Sequence, residues 1–213
     1  MSCSFDLEHY RELLEAAQRG GYAFGAFEGA PRFAHVYLRH DVDLSLDAAL
    51  AMAEVEADAG ARATYFLMTR SVFYNLASGE GGRALARLRE LGHAVGHHAF
   101  HPHVDLDARF DPVVAWHNPD PEFMSEPIDG AVNVMGFPWF SPERYRSDSN
   151  QHWRSGCPHE ELERGGFPWL QLLTHPEIWV YRGETMRETM LAMLDAERER
   201  RLVQLAEDRI DLS

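Results

Sequence analysis

The chain is 213 residues long, 45% hydrophobic, with a formal net charge of −14. This predicts one globular domain over residues 1–213 and argues against a general nucleic-acid binder, which needs a basic face. The two cysteines, Cys3 and Cys157, cannot build a disulfide framework and suit a reducing compartment. With no signal-like apolar segment and no run of transmembrane length, the expected location is the cytoplasm, without membrane insertion.

Ser4 to Gly21 reads as a first helix, with Leu7, Tyr10, Leu13, Leu14 and Ala17 on one face and Gly20-Gly21 as its stop. Tyr22 to Phe27 is aromatic and extended. Phe33 to Leu38 is an apolar strand that runs into Arg39-His40-Asp41-Val42-Asp43. Ser45 begins a second helix, closed by Gly60. Ala63 to Met68 is the next strand, Gly79 to Gly82 a loop, Arg83 to Leu91 a third helix, and Ala94-Val95 a short strand. Strand, helix, strand, helix, strand is the pattern of a parallel α/β sheet.

Beyond this the pattern weakens. Leu106 to Asp111 allows a turn or two of helix, and Val113 to Trp116 reads as a strand ending at His117. Residues 118–142 are rich in Pro and Gly and read as loop. Arg144 to Ser147 is a short strand before Asp148, and Phe167 to Leu173 an apolar strand before His175. Glu184 to Leu205 is the last helix.

Asp41 and Asp43 lie two residues apart, so an extended chain puts both carboxylates on one face. Adjacent anions repel, and a divalent cation is the simplest offset. The plainer reading is a turn in which the two aspartates cap the next helix. His93, His97, His98, His101 and His103 crowd into eleven residues and supply further ligands. Zinc suits imidazole and carboxylate donors, with nickel or cobalt as alternatives. The two aspartates, the histidine cluster, His117, Asp148 and His175 each follow an apolar strand. In a (β/α) barrel the C-terminal strand ends converge on one face, where the chemistry sits.

Arg39-His40-Asp41-Val42-Asp43, Ala63-Thr64-Tyr65-Phe66 and Gly92-His93-Ala94-Val95-Gly96-His97-His98 resemble the polysaccharide deacetylase family, carbohydrate esterase family 4. Tyr145-Arg146-Ser147-Asp148-Ser149, Trp153 and Leu172-Leu173-Thr174-His175-Pro176 resemble its lipopolysaccharide-biosynthesis-like branch. The resemblance runs from about Tyr37 to Trp179. It implies an irregular (β/α) barrel, usually of seven strands. It also implies metal-dependent removal of acetyl from an N-acetylated sugar, with a carbohydrate or sugar nucleotide as substrate.

Carried over by position, Asp41 is the general base, Asp43 and His98 are metal ligands and His175 is the general acid, with Asp148 a candidate partner for it. The family's second ligand histidine, four residues on, falls on Pro102. His97 and His101 do have that spacing, and His101-Pro102 matches a family dipeptide. The expected ligand set is therefore Asp43, His98 and His101, with His97 and His103 as alternatives. The third family motif carries an arginine before proline, where this chain has Trp116-His117-Asn118-Pro119. Either His117 takes over that arginine's function, or it enters the metal shell, or the chemistry has changed. Two further readings stay open: hydrolysis of a different C–N bond on the same fold and metal, and a non-catalytic carbohydrate-binding descendant.

Overall fold

The structure, a computed structural model, describes residues 3–211. Eight parallel strands form one sheet. They are β1 (Ala23–Phe24), β2 (His35–Val42), β3 (Ala63–Leu67), β4 (Ala94–Ala99), β5 (Val113–Trp116), β6 (Val132–Asn133), β7 (Tyr145–Ser147) and β8 (Trp169–Thr174). Their order is β6-β5-β4-β3-β2-β8-β7, with β1 paired to the start of β2. The six helices are α1 (Leu7–Arg19), α2 (Leu46–Asp58), α3 (Gly79–Glu90), α4 (His159–Arg164), α5 (Pro176–Val180) and α6 (Met186–Glu207).

Helix starts follow side-chain capping. Asp6, Ser45 and Ser78 accept from the backbone N–H groups of His9, Ala48 and Gly81. Thr185 and Glu188 form a capping box at the start of α6. The expected Gly79–Gly82 loop is instead the first turn of α3. Glycine is needed there for close approach, because a Cβ on Gly81 would stand 2.3 Å from the Asn75 carbonyl.

The sheet is buried on both faces, as an apolar parallel sheet requires. On the outer face Val36, Leu38, Tyr65 and Leu67 pack with Tyr10 and Leu13 of α1, Met52 of α2 and Leu88 of α3. On the inner face Tyr37, Phe66, Val113, Trp139 and Trp169 fill the concavity of a curled half-barrel. Among the described residues no ladder joins β6 to β7. A side chain spans that gap: Gln171 of β8 donates to the carbonyls of Val134 and Trp139, both at 3.0 Å.

Three differences from the sequence reading matter. β2 runs on through Asp41, so that carboxylate sits inside the ladder rather than in a turn. β4 runs to Ala99, so His97 and His98 are strand residues on opposite faces. No helix forms at 106–111, where Asp107 instead accepts from the backbone and side chain of Arg109. The short elements β6, α4 and α5 carried no sequence signal long enough to register.

Gly96, directly beneath His98 on the inner face, has no room for a side chain. A Cβ there would stand 2.7 Å from both Phe66 Cε1 and Val113 Cγ2. Gly96→Ala is expected to cost about 1–3 kcal/mol by overpacking, measured as a shift in the urea unfolding midpoint. A loss below about 0.5 kcal/mol would mean that the interior yields there.

Candidate metal centre

Strand alternation sets the site. Arg39, Asp41 and Asp43 lie on the inner face of β2 and its continuation, and His98 on the inner face of β4. The β4–β5 ladder pairs His98 with Ala115, and His117 follows two residues on, just past the end of β5. Asp43 Oδ1 lies 3.0 Å from His98 Nε2 and 3.1 Å from His117 Nδ1, and those two nitrogens are 3.1 Å apart. The other nitrogen of His98 donates its N–H to the Ala115 carbonyl at 2.9 Å. That leaves Nε2 facing the carboxylate. A carboxylate and two imidazole nitrogens thus meet at one point, where a proton or a cation offsets the carboxylate charge. Their chemistry, one carboxylate and two imidazoles within 4.8 Å of one another, fits a divalent transition metal.

The ligand expected at His101 is not one of the three. Its Nε2 lies 3.1 Å from Glu126 and its ring stacks on Phe123. His117 stands in the group instead. His97 points to the opposite face, where its Nε2 accepts from the Asp107 N–H at 2.7 Å and its ring packs on Phe110. His103 is exposed. His93 is buried behind the sheet, between the Ala63 N–H and the Ala53 carbonyl.

Asp41 is gripped by both arms of Arg39, Nε to Oδ1 at 2.8 Å and Nη2 to Oδ2 at 2.6 Å, and its Oδ2 lies 3.8 Å from His98 Nε2. Burial opposes ionisation of Asp41, but the Arg39 guanidinium overrides it and holds the carboxyl below its usual range. Burial works against Asp43 in the same way. There the His117 and His98 contacts win, and the carboxyl again stays anionic. The bond to Asp43 raises His117. Arg39 was not singled out in the sequence, although its spacing of two from Asp41 on a strand puts both on one face.

His175, just past β8, opens on the same cleft. Its Nδ1 lies 2.7 Å from Asp148 Oδ1. Asp148 is wholly buried, and its Oδ2 accepts from the His175 backbone N–H at 3.0 Å and from Trp179 Nε1 at 2.7 Å. Burial would lower the His175 pKa, but the Asp148 carboxylate raises it to about 10. The cleft holds about 350 Å³ and is lined by Asp43, His117 and His175, with Phe73 and Phe100 on its apolar side. Glu177 also lines it. That side chain is 2% exposed, its Oε2 has no hydrogen-bond partner among the described residues, and burial lifts its pKa to about 7. No sequence signal marked Glu177, which follows a proline in a five-residue helix.

No protein-family model matches the sequence, and no curated protein and no solved structure matches it. No helix among the described residues is long and apolar enough to cross a membrane.

Proposed function

We propose that the protein is a metal-dependent amidohydrolase with a polysaccharide-deacetylase-like barrel, releasing acetate from an N-acetylated sugar or sugar nucleotide. One observation carries this reading. Asp43 and His117 of the convergent Asp43, His98 and His117 group line one cleft with His175, whose Nδ1 rests on the buried Asp148, and a carboxylate that Arg39 keeps anionic lies beside His98. Zinc suits this donor set, with nickel or cobalt as alternatives. A divalent ion held there supplies Lewis acidity to the acyl carbonyl and to the attacking water.

The rest falls to the chain's own groups. Asp41, aimed by Arg39, takes the proton of the attacking water. The scissile nitrogen leaves only once protonated, and His175 delivers that proton from Nε2 while Asp148 holds Nδ1–H. Phe73 and Phe100 offer flat apolar surface to a sugar ring. The cleft volume suits a substrate of monosaccharide size.

The test is acetate release from a panel of N-acetyl sugars, with metal analysed in parallel on wild type and Asp43→Ala. Wild type is expected to release acetate. Asp43→Ala is expected to lose about one metal per chain relative to wild type and at least about 100-fold in rate. Acetate from no sugar, with metal bound, would move the substrate to another acylated amine. Metal content equal in the two proteins would remove Asp43 from the centre.

A further inference from the structure

A second set of ligand-type side chains lies where the start of α1 meets the chain between β7 and α4. Cys3 Sγ, His9 Nε2 and Cys157 Sγ all lie within 4.8 Å of one another. His9 Nε2 is 3.2 Å from Cys157 Sγ, and its Nδ1 is 2.8 Å from Glu12 Oε2. A carboxylate on Nδ1 fixes the proton on that nitrogen and turns the Nε2 lone pair toward the sulfurs, the state in which imidazole ligates a metal. Trp153 Nε1 donates to Cys3 Sγ at 3.2 Å, which fixes that sulfur beside the other two groups. His9 is 8% exposed and both cysteines are half-buried.

We propose that Cys3, His9 and Cys157 bind a zinc ion, with solvent completing a tetrahedral shell. Two sulfurs and one imidazole select a borderline-soft ion and reject magnesium and calcium, which need oxygen donors. Bonds of about 2.0 Å to nitrogen and about 2.3 Å to sulfur set tetrahedral ligand atoms roughly 3.5 Å apart. The sulfur and nitrogen of Cys157 and His9 are already near that separation.

The site ties together residues 148 positions apart in the chain. It also borders an aromatic wall. Trp153 packs on Phe5 and Trp179, the His9 ring stacks on Trp179, and Trp179 donates to Asp148. The ion would brace the start of α1 against the wall that holds Asp148 in place. It is a structural centre, independent of whether the cleft hydrolyses amides.

Cobalt loading under reducing conditions tests it, because a thiolate bound to Co2+ gives a near-ultraviolet charge-transfer band that a carboxylate–imidazole centre cannot give. The band is expected in wild type and in Asp43→Ala, and is expected to vanish in Cys3→Ser and Cys157→Ser. Glu12→Ala should weaken cobalt binding at this site by roughly 10–100-fold. No band in folded wild type with both thiols free would overturn the proposal, as would an intact mass short by two hydrogens, which signals a disulfide. If the serine variants do not fold, alkylation of wild type decides. The thiols should be protected by zinc and react once it is chelated, and equal reactivity in both states would overturn the site.

Discussion

His175→Ala is expected to lower kcat/KM for an N-acetylated sugar by about 1000-fold, and for an activated aryl acetate by less than about tenfold. The difference follows from the leaving groups. An amine cannot depart as its anion, whereas an aryl oxide departs unprotonated. On the proposed reading His175 carries that proton. Its Nδ1 rests on Asp148 Oδ1 at 2.7 Å, and the second oxygen of Asp148 is fixed by the His175 backbone N–H and by Trp179. An equal fall for both substrates would assign His175 to metal retention or folding and remove it as the acid.

The same pair has a definite effect on stability. The ring titrates near 6.5 when free and about 10 when folded. A raised folded pKa makes the contribution complete below about 6.5, and it is lost as pH rises through about 10. The stability gap between wild type and Asp148→Asn should narrow across that window in denaturant titrations.

Glu56→Ala is expected to cost about 3–5 kcal/mol of unfolding free energy with no role for the cleft. Glu56 is fully buried on α2. Its Oε1 accepts from Tyr10 at 2.5 Å and lies 2.6 Å from His40 Nε2, and its Oε2 accepts from Tyr65 at 2.7 Å. Truncation leaves three donors from α1, β2 and β3 unpaired in an apolar layer. Burial disfavours the Glu56 anion, but His40, then His93 and Tyr10, more than offset it and depress the pKa. That stabilisation is therefore present above about 4.5 and is lost as pH falls further. Glu56→Gln, which keeps shape and one acceptor, should lose less. Equal loss in both variants would mean that the charge matters and the hydrogen bonds do not.

The alternation that placed Asp41 and Asp43 on one face needs only two residues of spacing, so that part of the centre was legible. Which histidines join them was not. The answer turns on β4 continuing four residues beyond Val95, which sends His97 and His98 to opposite faces. It turns also on a register between β4 and β5 that sequence spacing does not encode, and that register brings His117 to the centre. The parallel α/β architecture was readable from the capped helices and apolar strands, but the unclosed edge was not, because β6 and β7 are two and three residues long. Arg39 and Glu56 escaped notice for another reason. A charge beside apolar residues reads as solvent-facing unless its buried partners, remote in sequence, are known.

The gap bridged by Gln171 bears on how such a protein can diversify. The strands that carry Asp43, His98, His117 and His175 are held by ladders on the β2, β4, β5 and β8 side, whereas most of residues 118–142 lies outside any ladder. A length change ahead of β6 leaves the registers of β2, β4, β5 and β8 as they are, and doubling a loop costs only about 0.6 kcal/mol in closure entropy. Descendants can therefore vary the exposed part of this stretch while inheriting the ionic centre, provided that Met135, which touches Arg39, and Trp139, which fills the interior, are kept.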